Sequence, residues 1–224
     1  MKVFAIIPAL EAVSSVGRVV EGLKNYVAEI VVVDDGSTDD TAQVAQKTGA
    51  QVLRHLVNRG YGAALITGSA YALARGAEAI VHFDADGQFT SADLPKLLAA
   101  LKYGQPSAAL GSRFLGTAVN IPVLRKIILK LGIIFTWATT GLKLTDAHNG
   151  LRAFTREAWA KFNLKQDRMA ISSEIIQEIA EHKIPYMEVP VTVTYTADTL
   201  RGSKQGRMPA IKIVRDLFIG KFLR

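Results

Sequence analysis

Two carboxylates one residue apart, Asp84 and Asp86, follow the apolar run of residues 79–83. Such a run is typical of a buried strand, so the two acids emerge together where that strand ends. Carboxylate oxygens are preferred ligands of Mg²⁺ and Mn²⁺, and a small protein ligand set leaves coordination positions for water and nucleotide phosphates. The pair therefore predicts a divalent metal site that helps a diphosphate leave. Taken alone, the same triplet is also typical of a turn or a helix cap.

A second acid pair, Asp34 and Asp35, follows the apolar run of residues 31–33 and precedes Gly36 and Ser37. Paired acids accept hydrogen bonds from a base or a ribose, whereas a serine at this point caps the next helix. We expect a nucleotide contact here. A plain strand, Asx turn and helix is the alternative interpretation.

Two further motifs carry groups that suit phosphates. Gly60 and Gly62 open a predicted helix, where small residues let backbone N–H groups approach an anion. Close packing of that helix on the sheet explains the glycines equally well. Arg113 closes another apolar run, and Arg125 lies in a segment rich in Lys and Arg. A guanidinium donates two parallel hydrogen bonds to a phosphate and stays charged at neutral pH.

Alternating strands and helices must position these residues. The predicted strands are 3–7, 30–33, 51–56, 79–83 and 108–110, and the predicted helices are 15–27, 39–48, 61–75 and 91–102. Buried strands that alternate with helices indicate an α/β fold with a largely parallel sheet between helices. Ligands of such sheets bind at the carboxyl ends of the strands, which is where both acid pairs lie.

The second half of the chain has a looser pattern. It predicts a helix over 122–142, a strand over 150–154, a helix over 172–182 and a strand over 186–195 that Pro190 breaks. Residues 209–224 have the pattern of a basic helix with one apolar face. That helix would lie in a membrane interface or in a partner's groove, or it would pack on the protein's own core.

The composition is that of a globular protein, with 224 residues, 49% apolar and 21% charged. The chain contains no cysteine, which excludes disulfides and thiolate metal sites and leads us to expect a cytoplasmic protein. Of its 27 basic residues, seven lie in residues 201–224, together with one acid. Such a basic end meets nucleic acid, anionic lipid or a phosphorylated substrate, and charge alone does not choose among them. The uncharged stretch of residues 131–142 is shorter than the roughly 20 residues that span a bilayer.

Taken in order, the motifs resemble those of the inverting family 2 glycosyltransferases with the GT-A fold, and among them the dolichyl- and polyprenyl-phosphate sugar synthases. The motifs are IIPA at 6–9, VVDDGSTD at 32–39, NRGYGAA at 58–64, DADGQ at 84–88, GSRF at 111–114 and DAHNGLRAF at 146–154. The resemblance implies one Rossmann-like, three-layer α/β/α domain over residues 1–205. Its nucleotide-binding half is about 1–115 and its acceptor half about 116–205, followed by a basic amphipathic helix over 206–224.

The resemblance also implies roles for individual residues. Mg²⁺ or Mn²⁺ is expected at Asp86, Asp84 and Gln88, and Asp35 is expected to face the base. The donor-binding set is Pro8, Ala9, Glu11, Asp34, Asp35, Gly36, Asn58, Gly62, Asp84, Ala85, Asp86, Arg201 and Lys204. The acceptor phosphate is expected at Arg113, Arg125 and Arg152, and the catalytic set is Asp84, Asp86, Arg113 and Glu174.

The sequence departs from the family pattern after the first strand. Members usually read Pro-Ala-Tyr-Asn-Glu, whereas this chain has Leu10, Glu11 and Ala12 at the last three positions. The usual acid is absent at position 12. We expect Glu11 to take its place, or the nucleotide to be held more weakly.

The implied reaction moves a sugar from a nucleoside-diphosphate sugar to an acceptor by in-line attack, with inversion at the anomeric carbon. The expected acceptor is a polyprenyl phosphate, used in cell-surface glycan or glycolipid assembly. Its oxygen is already an anion, whereas a sugar hydroxyl of a lipid-linked glycan would need a base such as Glu174 or Asp146. A loop role is expected for His148.

Two other classes of protein share some of these sequence features. A sugar-nucleotide-forming enzyme is disfavoured because residues 8–15 contain no glycine to grip a triphosphate. A non-catalytic nucleotide-sugar or membrane-binding module would not need the acid pair. The expected partners are thus a nucleotide sugar and a lipid-linked acceptor, with peripheral contact to the inner face of the membrane or a small membrane protein, and no nucleic acid.

Overall fold

The computed structural model describes residues 1–102 and 107–196. Its strands are β1 Val3–Ala9, β2 Glu29–Asp34, β3 Gln51–Arg54, β4 Ala79–His82, β5 Ala108–Val119, β6 Arg152–Thr155 and β7 Tyr186–Thr194. Its α-helices are α1 Val16–Leu23, α2 Thr41–Lys47, α3 Tyr61–Ala74, α4 Leu94–Lys102, α5 Val123–Thr140, α6 Arg156–Trp159 and α7 Ile171–Glu181. A short 3-10 helix, Ser91–Asp93, precedes α4.

The strands form one seven-stranded sheet in the order β3-β2-β1-β4-β6-β5-β7. Strand β6 runs antiparallel to its neighbours β4 and β5, and every other pairing in the sheet is parallel. The prediction of a mostly parallel α/β sheet is therefore confirmed. Because β1, β2 and β4 are parallel neighbours, their carboxyl ends lie side by side at one edge.

Helices cover both faces of this sheet. Along β1 the residues alternate, so that Ile7 belongs to one apolar cluster and Ile6 to the other. The first cluster holds residues of α1, α2 and α4, and the second holds residues of α3, α6 and α7. A strand that is buried on both faces reads as an unbroken apolar run, which explains why the early strands were predictable from the sequence.

Three predicted boundaries differ from the structure. Strand β3 ends at Arg54, because Leu56 is fully exposed and belongs to the following loop. Strand β5 extends to Val119 through a register shift between Ser112 and Thr117. Pro190 does not break β7, because β7 is an edge strand, where a missing N–H is tolerated.

The predicted basic helix over 206–224 and the residues Arg201 and Lys204 lie outside the described residues, so their placement stays a prediction. Within residues 1–102 and 107–196, we find no helix that is both long and apolar enough to span a membrane.

Candidate active site

The metal loop, residues 84–88, leaves the end of β4 beside the ends of β1 and β2. The Tyr61 hydroxyl, from the first turn of α3, donates a 2.9 Å hydrogen bond to Asp84 Oδ1. The Gln88 backbone N–H donates to Asp86 Oδ1 at 3.0 Å. On the other side of Asp84, a Cβ added to Gly150 would lie only 2.2 Å from Oδ2. The loop 146–152 thus approaches the carboxylate so closely that position 150 has to be glycine.

Neither carboxylate of this pair is well stabilised as an anion. Burial and the neighbouring Asp86 raise the pKa of Asp84 to about 7. Burial also raises the pKa of Asp86, although its hydrogen bond from Gln88 and the charge of Arg125 act against this. A bound cation would relieve this repulsion and desolvation together.

The donor set of the metal loop fits Mg²⁺ or Mn²⁺. In the described part of the chain, the pair has no third acidic or histidine side chain that completes a metal cluster. A hard cation held by Asp84 and Asp86 takes its remaining ligands from water and phosphate oxygens, as Mg²⁺ commonly does.

Asp35 is held by contacts within the protein. Its carboxylate is fully buried and hydrogen-bonds His55 Nδ1 at 2.7 Å, Arg59 N at 2.9 Å and Gly60 N at 2.8 Å. In this structure both oxygens are engaged by the segment that precedes α3, and the role of Asp35 at a nucleotide base stays a prediction.

Asp34 is also turned inward. Its Oδ1 accepts a 3.0 Å bond from Ser37 N, its Oδ2 lies 3.1 Å from Arg54 Nε, and the side chain is fully buried. Asp34 therefore fixes the turn after β2 rather than presenting oxygens to a donor. Buried carboxylates need such partners, and both acids find theirs within the protein.

Glu11 does not replace the missing acid at position 12. Its φ of 52° lies in the left-handed region, and its Oε1 accepts bonds of 2.9 Å from both the backbone N–H and the hydroxyl of Thr38. The Glu11 backbone N–H donates in turn to Ser37 Oγ at 2.9 Å. Glu11 thus ties the loop after β1 to the loop after β2, while Ala12 packs in the core.

Several other predicted donor residues support the site from behind. Pro8, Ala9 and Ala85 are buried, so their side chains do not reach a ligand. A Cβ added to Gly62 would lie 2.1 Å from Gln166 O of a neighbouring loop, which supports the packing explanation of this glycine. Its contact with the donor stays a prediction.

Gly36 and Asn58 meet at the rim of the same edge. Gly36 has a φ of 80°, and a Cβ there would lie 3.0 Å from Asn58 N. The side chain of Asn58 is exposed. The turn after β2 and the segment before α3 are thereby brought together, and both remain candidates for donor contacts.

Two of the three predicted acceptor arginines are buried. Arg113 Nε pairs with Asp146 Oδ2 at 2.6 Å, while its remaining nitrogens donate to His148 O and the Tyr195 hydroxyl. Burial acts to lower the pKa of Arg113, but the ion pair with Asp146 outweighs it and raises the pKa. Arg113 thus connects the segments that carry Asp146, His148 and Tyr195, and its acceptor and catalytic roles stay predictions.

Arg152 is 4% exposed and donates to the backbone oxygens of Ala147 and Ser172. Burial lowers the pKa of Arg152, and the charge of Asp84 opposes that shift. The contact of Arg152 with an acceptor phosphate stays a prediction, and in this structure the side chain is buried. The guanidinium lies behind the metal loop and acts on it through its electric field.

Arg125 is the member of the predicted acceptor set that faces solvent. It lies in the first turn of α5, with its guanidinium carbon 4.9 Å from the centroid of the Tyr195 ring. Its charge also lowers the pKa of Asp86, which places it within the electrostatic reach of the metal loop.

Glu174 has a structural role. It is 5% exposed, and its carboxylate accepts bonds from Lys165 N at 3.1 Å and Gln166 N at 2.9 Å. Both oxygens hold the loop that packs against Gly62, and the catalytic role of Glu174 stays a prediction.

The comparisons with known proteins agree with this geometry. Residues 4–162 match the description "Glycosyl transferase family 2". The chain belongs to this family. Membership of this family identifies the chain as a glycosyltransferase, which confirms the prediction of an enzyme.

Relatives of this glycosyltransferase include an uncharacterised protein of Methanocaldococcus jannaschii, 38% identical over 201 residues that cover 87% of this chain and 82% of the relative. Another is the UDP-N-acetylglucosamine–dolichyl-phosphate N-acetylglucosaminyltransferase of Methanococcus voltae, 30% identical over 217 residues that cover 87% and 86%.

Among solved structures, the fold is similar to glucosyl-3-phosphoglycerate synthase of Mycobacterium tuberculosis in complex with Mn²⁺, UDP and phosphoglyceric acid. The TM-score is 0.68 at 17% identity, covering 91% of this chain and 74% of that chain. The predicted GT-A type fold is thus confirmed.

Sequence reasoning missed several residues that shape this glycosyltransferase site. Tyr61 lies within the NRGYGAA motif, and only its placement at the start of α3 could have pointed to Asp84. His55 and Tyr195 carry no motif, and their partners Asp35 and Arg113 lie 20 and 82 residues away. Such long-range pairs leave no local signal in one sequence.

Proposed function

We propose that this family 2 glycosyltransferase is metal-dependent and moves a sugar from a nucleoside-diphosphate sugar to a polyprenyl phosphate, with inversion. The observation that carries the proposal is the exposed Arg125 beside the acid pair Asp84 and Asp86. The guanidinium of Arg125 suits a lipid-linked phosphate, and a cation held by Asp84 and Asp86 suits the diphosphate of the donor. The name of the Methanococcus voltae relative contains both substrates, which supports this assignment.

The residues of the metal loop would divide the work on the donor. A divalent cation bound by Asp84 and Asp86 supplies charge stabilisation for the leaving diphosphate. The Tyr61 hydroxyl and the Gln88 backbone N–H hold the two carboxylates in place. We propose that Gln88 assists this site, and that Arg201 and Lys204 of the basic tail add positive charge around the diphosphate.

The acceptor side favours a phosphate over a sugar hydroxyl. A hydroxyl acceptor needs a general base, and the two candidates are engaged elsewhere. Glu174 binds backbone N–H groups, and Asp146 pairs with Arg113 at 2.6 Å and is 3% exposed. A phosphate monoester has a second pKa near 6, so its oxygen is already anionic at neutral pH and needs no base. Arg125 would bind and orient this oxygen for in-line attack.

The test is an assay of transfer by the full chain. The protein is incubated with labelled UDP-, GDP- and TDP-sugars, a polyprenyl phosphate and Mn²⁺, and label that moves into the organic phase is counted. We expect one donor to give a product that mild acid releases, and EDTA to abolish its formation until Mn²⁺ is returned in excess. NMR of the product should show the anomeric configuration opposite to that of the donor.

Two controls separate the elements of the proposal. A polyprenol without the phosphate should accept no sugar, because Arg125 then has no anion to bind. Transfer to the free alcohol would instead point to a hydroxyl acceptor. Full activity in excess EDTA would exclude the metal-dependent mechanism while leaving family membership intact.

A further inference from the structure

The outward face of α5 is rich in exposed apolar side chains. Val123, Leu124, Ile127, Leu131, Ile134 and Trp137 are each more than half exposed. These are six of the 14 large apolar side chains that are exposed in the described part of the chain, within a helix of 18 residues. Scattered exposed apolar residues are normal on protein surfaces, whereas such a concentration marks an interaction site.

The opposite side of the same helix packs on the protein. Ile133 lies against the apolar cluster of α3, α6 and α7, Thr136 is buried, and Gly132 packs on His148, whose ring atoms would lie about 3.0 Å from an added Cβ. A helix that only packs on its own core has a single apolar stripe, which faces inward. Here Ile127, Leu131 and Ile134, at spacings of four and three residues, form a second apolar stripe that faces outward. We therefore define the exposed apolar residues 123, 124, 127, 131, 134 and 137 as the α5 face.

The charges around the α5 face are all of one sign. Arg125, Lys126 and Lys130 are exposed on the same helix, and residues 120–143 contain no Asp or Glu. The Lys130 ammonium also lies 4.1 Å from the centroid of the Phe114 ring. Helices with an apolar face and flanking Lys and Arg lie in the interfacial layer of anionic membranes, and an exposed Trp suits the headgroup level.

We propose that the α5 face docks the protein on an anionic lipid bilayer, with the helix lying in the plane of the interface. The positive charge of α5 argues against two other possible occupants of the α5 face. The basic segment 201–224 and a second copy of α5 would both bring positive charge to Arg125, Lys126 and Lys130. An anionic headgroup layer is complementary to these cations and receives the apolar side chains between them.

Docking on α5 has a consequence for the reaction, and this part rests on the proposed function. Arg125 lies on the docked helix and next to the metal loop. The α5 face would therefore hold Arg125 at the depth of a lipid phosphate and bring the metal loop to the headgroup layer. The acceptor phosphate would then be reached without leaving the bilayer.

Vesicle flotation of the full chain tests the docking without donor, metal or acceptor. Vesicles are made of phosphatidylcholine alone or mixed with phosphatidylglycerol. We expect the parent protein to float with the mixed vesicles, and the double variant Ile127→Glu/Ile134→Glu to bind at least about tenfold more weakly. Both positions are more than half exposed, so circular dichroism and the melting temperature should stay unchanged. Leu56→Glu, at a fully exposed apolar position after β3, is the matched control and should bind like the parent.

A second variant addresses the basic tail. Phe218→Glu/Phe222→Glu in the full chain disrupts the apolar face predicted for residues 209–224. If this variant loses vesicle binding while Ile127→Glu/Ile134→Glu keeps it, the proposal is overturned in favour of the tail. Equal binding of the parent protein to phosphatidylcholine alone would overturn the charge argument.

The two tryptophans give an independent readout in the native sequence. Trp137 is 51% exposed, whereas Trp159 is 7% exposed in the core. Lipids with brominated acyl chains should quench the parent protein's fluorescence, and Trp137→Phe should remove that quenching. Quenching that survives in Trp137→Phe, or is absent in the parent, contradicts insertion of α5. Because these measurements involve no sugar transfer, failure of docking and failure of the proposed reaction are distinguishable.

Discussion

Two pairs of acids lie at the same edge of the sheet, and the protein treats them in opposite ways. Asp34 and Asp35 at the end of β2 are fully buried, and between them they bind Ser37, Arg54, His55 and two backbone N–H groups. Asp84 accepts a hydrogen bond from Tyr61 and Asp86 accepts backbone hydrogen bonds, yet both have raised pKa values. The first pair is held by partners on all sides except at Asp34 Oδ2, which has the charge of Arg54 but no hydrogen bond, whereas burial of the second pair is poorly compensated.

The difference shows how to separate structural from functional carboxylates. Burying a charge costs free energy unless hydrogen bonds or opposite charges offset that cost. A buried acid with too few such partners therefore indicates a role other than stabilising the fold. At Asp84 and Asp86 the role we propose is binding of the metal and the donor diphosphate. At Asp34 and Asp35 the contacts that stabilise the fold are sufficient to explain why the acids are present. Neutralising substitutions should therefore lower activity at Asp84 and Asp86 and lower stability at Asp34 and Asp35.

The largest effect is expected for Asp86→Asn. The amide keeps the shape of the side chain but removes the charge that binds the cation, so sugar transfer should fall by about a hundredfold or more. The melting temperature should be unchanged or higher, because burial already disfavours the charged form. Transfer assays over a range of Mn²⁺ concentrations, alongside thermal melts, measure both. Unchanged transfer at limiting Mn²⁺ would remove Asp86 from the metal site.

Asp84→Asn should make the metal-free protein more stable at high pH. Since the pKa of Asp84 is raised from its usual 3.8 to about 7 in the folded protein, the folded state binds this proton more tightly than the unfolded chain does. Its contribution to stability is present at low pH and is lost as the pH rises from about 4 to about 7. The variant should gain about 2–4 kcal/mol in unfolding free energy at pH 8 in EDTA, and little near pH 4.

Urea titrations of the Asp84→Asn variant and the parent, at both pH values in EDTA, test this expectation. Mn²⁺ should then stabilise the parent more than the variant, because a ligand that binds only the folded state raises its stability. A gain that is the same at both pH values would show that the effect comes from packing rather than charge.

Asp35→Asn should lower the unfolding free energy, whereas Asp84→Asn should raise it. An amide has one acceptor oxygen for three donors, so at least one of His55 Nδ1, Arg59 N and Gly60 N loses its partner. We expect a loss of about 2 kcal/mol in unfolding free energy, with Mn²⁺ binding retained. Urea titration and calorimetry of Mn²⁺ binding measure these separately. If the variant is as stable as the parent but binds the nucleotide more weakly, the result would support the prediction that Asp35 faces the base.

The fold could be predicted because its signals are local. Buried strands such as β1, β2 and β4 are unbroken apolar runs, and their alternation with helices predicts a parallel sheet. The position of Asp84 and Asp86 at a strand end follows from the same pattern. Strand β7 was also found, but its edge position was not, which is why Pro190 was expected to break it.

The orientation of the site residues could not be predicted because it depends on contacts between distant segments. Arg113 meets Asp146 across 33 residues, and Gly62 meets Gln166 across more than a hundred. A sequence shows that an arginine or a glycine is present but not which groups approach it. Arg113 and Arg152 therefore looked like phosphate ligands, although burial commits both to the interior.

The smallest effect, and the finest test of the comparison, is expected for Tyr61→Phe. The hydroxyl of Tyr61 donates to Asp84 Oδ1 and favours the charged carboxylate, so its loss should raise the pKa of Asp84 further. One hydrogen bond of this kind is worth about 1 kcal/mol, which predicts an affinity for Mn²⁺ about threefold weaker at pH 7 and closer to that of the parent at pH 9.

Tyr71→Phe on the same helix is the matched control for Tyr61→Phe, because the Tyr71 hydroxyl donates to Glu29 at 3.2 Å, away from the metal loop. Calorimetric titrations with Mn²⁺ across this pH range should separate the two variants. A pH-independent loss in Tyr61→Phe, or the same loss in Tyr71→Phe, would show that the hydroxyl supports packing. A loss that disappears at high pH would show that the Tyr61 hydroxyl favours Mn²⁺ binding by keeping the Asp84 carboxylate ionised.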